Sequence, residues 1–327
     1  MKVAIVLHGE FPVTGYGGTQ RVVWALAKAL FQLKHHVIVM ADRVGECPFA
    51  ETVLINRSRA FSKQIPDDVD IVHLNGMHAG MEQISKPYVI TIHGNRDISE
   101  TTPNMIFVSR DHARRHGSES YVYNGLDWDM FPDVDLSKER RWFHFLGNAA
   151  WRVKNVRGAI DVITHTRSER LHVLGGSRLN FRMGFRFTLS PRVHFHGMVN
   201  DAEKQQVMSR SKGLVFPVTW HEPFGLAIIE SLYFGCPVYG TPYGSLPELI
   251  TSDVGVLSNS RQQLSDAIMY GDSFSQVRCH EYARDLFSSH AMAKAYLEKY
   301  HKVMNGEALS RISVRSHEAF RDLPWYH

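Results

Sequence analysis

Short, near-continuously apolar runs alternate with helical patterns along the whole chain. Val3–His8 reads as a strand, a glycine-bearing turn follows, and Thr19–Leu33 has helical periodicity. Val37–Ala41, Val69–Leu74, Tyr88–Ile92 and Met105–Val108 read as further strands, each bounded by Asp, Pro, Gly or Asn. Runs that lack polar alternation belong to strands covered on both faces, as in a parallel sheet. The first half therefore predicts a doubly wound α/β domain. A polar stretch, Trp128–Arg141, breaks the rhythm and is read as the linker.

The rhythm then restarts. Strands are expected at Trp142–Leu146, Leu171–Leu174, Arg192–Phe195 and Leu214–Val218, with further strand material at Pro237–Gly240 and Gly255–Leu257. Helices are expected at Asn155–Thr164, Asp201–Ser209, Phe224–Phe234, Gln262–Tyr270 and Ala291–Met304, with Gly235 and Pro237 stopping the third. The expected organisation is one domain over 1–137, a second over 138–290, and a helix and tail over 291–327. That last segment either packs back on the first domain or ends as a loose tail. Two open sheets in series predict a ligand cleft at the carboxyl ends of their strands, so the chemistry is expected on the loops that follow strands.

Composition narrows the class. Of 327 residues, 44% are hydrophobic and 21% charged, enough to bury two cores and too ordinary for a disordered or disulfide-stapled chain. The net charge of +4 is too small to argue for nucleic acid, though it suits an anionic ligand. Cys47, Cys236 and Cys279 form no CxxC pair, and a reducing, cytoplasmic setting is the expectation. The opening MKVAIVLHGEF reads as a strand, not a signal peptide, and no apolar run approaches the roughly 18 residues of a membrane span. Any membrane contact is expected to be peripheral.

Several motifs fail. The run Gly15-Tyr16-Gly17-Gly18-Thr19-Gln20 has Gln20 where a dinucleotide fingerprint needs its third glycine. There is no GxxxxGK[ST] phosphate loop and no GxSxG elbow. His112 and His116 have the spacing of a helical zinc pair, but no third ligand accompanies them. The pairs Asp68/Asp70, Asp127/Asp129 and Asp133/Asp135 read as solvated turn acids in preference to a Mg²⁺ site. No metal site and no cofactor is therefore expected.

One constellation succeeds: His221-Glu222-Pro223-Phe224-Gly225-Leu226-Ala227-Ile228-Ile229-Glu230. A strand ending in Phe216-Pro217 gives way to a loop with Glu222. A helix start near Phe224 would leave free N–H groups at Phe224, Gly225 and Leu226, with Glu230 two turns further in. Free N–H groups suit phosphate or sugar oxygens, and carboxylates suit vicinal hydroxyls.

This stretch resembles the E-x7-E motif of the retaining GT-B glycosyltransferases of family 4. Other segments resemble that family in its order. They are the glycine loop Gly17-Gly18-Thr19-Gln20, the strand end Thr91-Ile92-His93-Gly94, the turn Asn124-Gly125-Leu126-Asp127, the phosphate loop Phe145–Asn155, the base loop His196-Gly197-Met198-Val199 and the turn Gly244-Ser245-Leu246-Pro247-Glu248. The resemblance spans about 1–304 and leaves only the tail unexplained.

The resemblance implies two Rossmann-like domains facing each other across a cleft, the first for an acceptor and the second for a nucleotide sugar. It implies that Glu230 holds ribose hydroxyls, and that Glu222 with Phe224, Gly225 and Leu226 holds the donor sugar. Lys154 would neutralise the diphosphate, Gly17 and Gly18 would approach the same phosphates, and His93 would orient the reacting sugar. Val199 would read the base through its backbone, and Gln20 would face the acceptor. In one departure, Asn148 stands where the family has an arginine, with Arg152 nearby as the expected substitute. Losing one charge-assisted hydrogen bond is worth roughly 1.5–3 kcal/mol.

Bland alternatives exist for each residue: a helix-start acid for Glu222, a strand-end histidine for His93, a solvated lysine for Lys154, a plain turn for Gly17-Gly18. The basic run Arg110–His116 is either a solvated helix face or, as in relatives with lipid acceptors, a patch for anionic membrane. The expected function is metal-independent, retaining transfer of a hexose from a nucleotide-diphosphate donor, UDP-linked by preference, to a sugar or lipid-linked glycan. A lapsed nucleotide-sugar-binding protein and a nucleotide-sugar epimerase of the same fold are the alternatives. Acceptor and oligomeric state are not specified by these residues.

Overall fold

The computed structural model describes residues 1–12, 17–95, 98, 102–181, 186–311 and 322–327. Gly15 and Tyr16 of the glycine run and residues 312–321 of the tail lie outside them. The chain divides into two compact units, with the division between Phe131 and Pro132, inside the polar stretch read as linker.

Unit 1 opens with β1 (Lys2–Phe11), α1 (Gly18–Gln32), β2 (His36–Val44), β3 (Glu51–Leu54), β4 (Ile71–Asn75), β5 (Tyr88–Ile92), β6 (Met105–Phe107) and α2 (Arg110–Arg115). Its sheet runs β3-β2-β1-β4-β5-β6, and every pair is parallel. Val3 to Leu7 and Ile71 to Leu74 are buried, as unbroken apolar runs require of a sheet covered on both faces. The edge strand β3 escapes sequence reading because its four residues are only partly buried or exposed.

Unit 2 contains β7 (Trp142–Leu146), α3 (Val156–His165), β8 (Leu171–Leu174), a small antiparallel pair β9 (Leu179–Asn180) and β10 (Arg186–Phe187), and β11 (Val193–Phe195). There follow α4 (Asp201–Met208), β12 (Ser211–Phe216), α5 (Leu226–Tyr233), β13 (Val238–Gly240), α6 (Leu246–Leu249), β14 (Gly255–Leu257), α7 (Arg261–Tyr270) and α8 (Gln276–Leu286). Its sheet, β11-β8-β7-β12-β13-β14, is again parallel throughout.

Both sheets have the doubly wound order in which the first strand pairs with the second on one side and the fourth on the other. Between those two central strands the winding reverses, and the loops leaving their carboxyl ends part to open a crevice. In unit 2 these are the loops after β7 and β12.

After α8 the chain rejoins unit 1 through α9 (Ser289–Met304). Tyr300 bonds His73 on β4 at 2.7 Å, and His73 and Tyr296 bond Thr91 on β5 at 2.7 and 3.0 Å, all in the core. Residues 322–327 differ from the expectation for 291–327: they belong to unit 2. Leu323 N–H donates to Thr219 O (2.7 Å), Tyr326 N–H to Asn259 O (2.8 Å) and Tyr243 Oη to Pro324 O (2.6 Å).

Candidate active site

The two loops at the unit 2 switch point are tied together before any side chain is considered. Asn155 holds a left-handed conformation (φ 51°) and caps α3 by accepting from Gly158 N at 2.9 Å. Its amide also donates to Pro217 O at 2.9 Å, and Thr219 N–H donates to Val153 O at 2.9 Å. The residues flanking Lys154 thus bond directly to the loop that carries Glu222.

Lys154 and Glu222 meet. Lys154 Nζ lies 2.6 Å from Glu222 Oε2, and the Trp220 indole N–H donates to the same oxygen at 2.7 Å. The ammonium also sits 5.0 Å from the Trp220 ring centre and 5.3 Å from that of Phe216. Glu222 is 6% exposed. A buried carboxylate with a lysine and an indole on one oxygen is a built feature, not an incidental helix-start acid.

The backbone behind Glu222 is shaped by the Gly244 turn. Gly244 has φ +62°, and a Cβ there would stand 2.3 Å from Glu222 N and 2.4 Å from Glu222 O. Ser245 N–H donates to Glu222 O (2.9 Å) and Ser245 Oγ to Phe224 O (2.6 Å). α5 starts at Leu226, two residues later than the sequence spacing predicts, so Phe224 and Gly225 are not helical. The reason is Gly225, whose φ of +90° makes it a left-handed N-cap.

Glu230, 6% exposed on α5, pairs with Lys204 on α4, whose ammonium also lies 3.1 Å from Asp201. Val199 is buried just before α4 and lines a cavity of about 420 Å³ with Trp142, His172, Glu203 and Val207. There His172 stacks on Trp142 at 4.3 Å, and burial together with His196 and His194 pushes its pKa down to about 4.

Asn148 is exposed, and its side-chain Oδ1 accepts from Ala150 N at 3.0 Å, a local turn. Arg152 is also exposed and pairs with Asp322 at 3.1 Å. In unit 1, His93 bonds Asn75 through Nε2 (2.9 Å) at the ends of β5 and β4, and Asn75 in turn donates to Val6 O. Gly17 caps α1, Gly18 is exposed, and Gln20 Nε2 comes 3.2 Å from where a Cβ on Gly9 would stand.

Two of the three aspartate pairs are engaged by lysine, and in the third Asp135 accepts from Ser137 N (3.0 Å) and Oγ (2.6 Å). Lys28 holds Asp127 (2.7 Å) and Asp129 (3.4 Å), and Lys2 holds Asp68 by its side chain (2.5 Å) and Asp70 by its backbone (2.7 Å). His112 and His116 pack against Phe107 in the unit 1 core. Sequence reasoning missed Trp220, Lys204 and Ser245. Trp220 was the most accessible of these, standing two residues before Glu222.

The fold defines a class: two Rossmann-like α/β units of the GT-B kind found in glycosyltransferases. Residues 140–270 match the family model described as "Glycosyl transferases group 1", and that segment carries Lys154, Val199, Lys204, Glu222 and Glu230.

The fold is shared with AviGT4, a glycosyltransferase involved in avilamycin A biosynthesis, at TM-score 0.76 and 19% identity over 93% of this chain and 98% of that one. It is also shared with HepE of Anabaena, solved with UDP and glucose, at TM-score 0.67 and 16% identity over 92% and 99%. A 41.2 kDa protein in the cps region of Klebsiella pneumoniae is 25% identical over 115 residues, 33% of this chain. The match spans about a third (32%) of that relative's length. Among the described residues no helix is long and apolar enough to cross a membrane.

Proposed function

We propose that the protein is a retaining, metal-independent glycosyltransferase that moves a hexose from a UDP-linked donor to a sugar or lipid-linked glycan. The observation that carries this reading is the buried Lys154–Glu222–Trp220 contact at the switch point of unit 2. The group 1 match over the same residues supports it, and the UDP and glucose bound by the structurally similar HepE support the choice of donor.

As the glycosidic bond breaks, negative charge collects on the departing diphosphate. Lys154 and the first-turn N–H groups of α5 stabilise that charge, and fixed dipoles in a water-poor site cost no reorganisation. Lys154 thereby supplies the positive charge a metal ion would bring. Glu222, fixed by Trp220 and Lys154, accepts from hydroxyls of the donor sugar and orients it. Attack on the face from which the leaving group departs retains the anomeric configuration, without the paired carboxylates of glycosidases. Within unit 2, Glu230 takes the ribose and the Val199 backbone takes the base. Arg152 exchanges Asp322 for the diphosphate and so replaces the charge absent at Asn148.

The test is release of nucleotide from UDP-, GDP- and ADP-hexoses in EDTA, with an acceptor panel. Slow release from the UDP donor, abolished by Lys154→Ala and Glu222→Ala, is expected. Binding without release across all donors and acceptors would refute transfer, and inhibition by EDTA would refute metal independence.

A further inference from the structure

Lys204 has no part in the proposed function above, yet it pairs with Glu230 and both side chains are only 8% exposed. Burying two charges is costly and seldom improves stability over an apolar pair, so such a pair points to a specific geometric role. Its position is specific as well. α4 begins directly after Val199 with a full capping box: Asn200 Oδ1 accepts from Glu203 N (2.9 Å), and Asn200 N–H donates to Glu203 Oε2 (3.0 Å). That box fixes the register of the helix against the loop before it. One turn later Lys204, which is not among the residues lining the cavity with Glu203 and Val207, reaches Glu230 on α5.

We infer that Lys204 is a positioning residue for nucleotide recognition. Its ammonium holds Oε2 of Glu230, so that the carboxylate keeps one orientation and its other oxygen meets the ribose cis-diol. It also ties the base-contacting loop, through α4, to the ribose-contacting acid. This rests on the proposed assignment of Glu230 to ribose. Lys204 itself touches no part of the ligand in this scheme and acts through Glu230 alone.

The experiment compares binding of UDP, GDP and ADP with that of their 2′,3′-dideoxy forms by calorimetry. For the wild type, loss of the diol should weaken the preferred diphosphate about tenfold or more, the worth of one hydrogen bond to a charged group. In Lys204→Met that penalty should fall to about twofold or less, because the carboxylate is no longer held. A variant that pays the full penalty overturns the role of Lys204 and leaves the ribose site standing. Failure of the wild type to bind any of the three diphosphates overturns both. Because Lys204→Met leaves a buried carboxylate unpaired, the comparison of Glu230→Gln, in which Lys204 keeps Asp201 at 3.1 Å, with Glu230→Gln/Lys204→Met provides a second reading free of that stranded carboxylate. Their affinities for the preferred diphosphate should agree within about twofold. A further drop in the double variant would mean that Lys204 contacts the nucleotide directly, and the positioning role would fall.

Discussion

Replacing Lys154 by methionine removes one ammonium and keeps most of the side chain's bulk. Glu222 would then stay buried, with the Trp220 indole N–H still donating to Oε2 at 2.7 Å. Breaking a buried ion pair costs about 3–5 kcal/mol, most of it the cost of the uncompensated charge. The indole contact places the expected loss near the lower end, about 3 kcal/mol. For a domain of this size that is a fall of roughly 6–12 °C in Tm. Thermal unfolding followed by tryptophan fluorescence measures it, since Trp220 lies against the altered atom. A second variant, Lys154→Met/Glu222→Gln, removes the stranded charge and keeps an acceptor for Trp220. Its stability should return to within about 1 kcal/mol of the wild type, whereas nucleotide release should stay depressed by about 10² or more, as for loss of a transition-state donor. The reasoning is refuted if Lys154→Met melts with the wild type, or if the double variant is as unstable as the single one.

Two other outcomes follow from the structure. His73 and His144 are fully buried, and desolvation first, then neighbouring His93 for the one and His172 and Arg140 for the other, lower both to about 3. Since the folded pKa lies below the unfolded 6.5, the stability of the neutral form is complete above pH 6.5 and declines as pH falls toward 3. At pH 5 each histidine should cost about 2 kcal/mol, so Tm should drop between pH 7 and pH 5. His73→Gln and His144→Gln should flatten that slope, and a flat wild-type profile would contradict the burial argument. Gly244→Ala should destabilise unit 2 by about 2 kcal/mol or more, because the new methyl meets the Glu222 backbone and the left-handed φ adds strain. Unchanged stability and nucleotide release would show that the turn does not brace Glu222.

The sequence by itself determined the two parallel sheets and most of their strands. A strand buried on both faces is apolar at nearly every position, and that signal is local. Tyr88–Ile92, Trp142–Leu146, Leu171–Leu174 and Gly255–Leu257 were legible residue for residue. The polar helix Gln276–Leu286 and the half-exposed strand Glu51–Leu54 were not, because partial burial leaves no clear period. Motif order singled out Lys154, Glu222 and Glu230 without saying what each touches. Only the tertiary structure decided that Lys154, 68 positions before Glu222, shares the Glu222 Oε2 with Trp220, that Lys204 faces Glu230, and that Arg152 pairs with Asp322. Strand order and helix register set those meetings, and a carboxylate's partner is chosen by which loops the sheet brings side by side, information that no single segment of the chain carries.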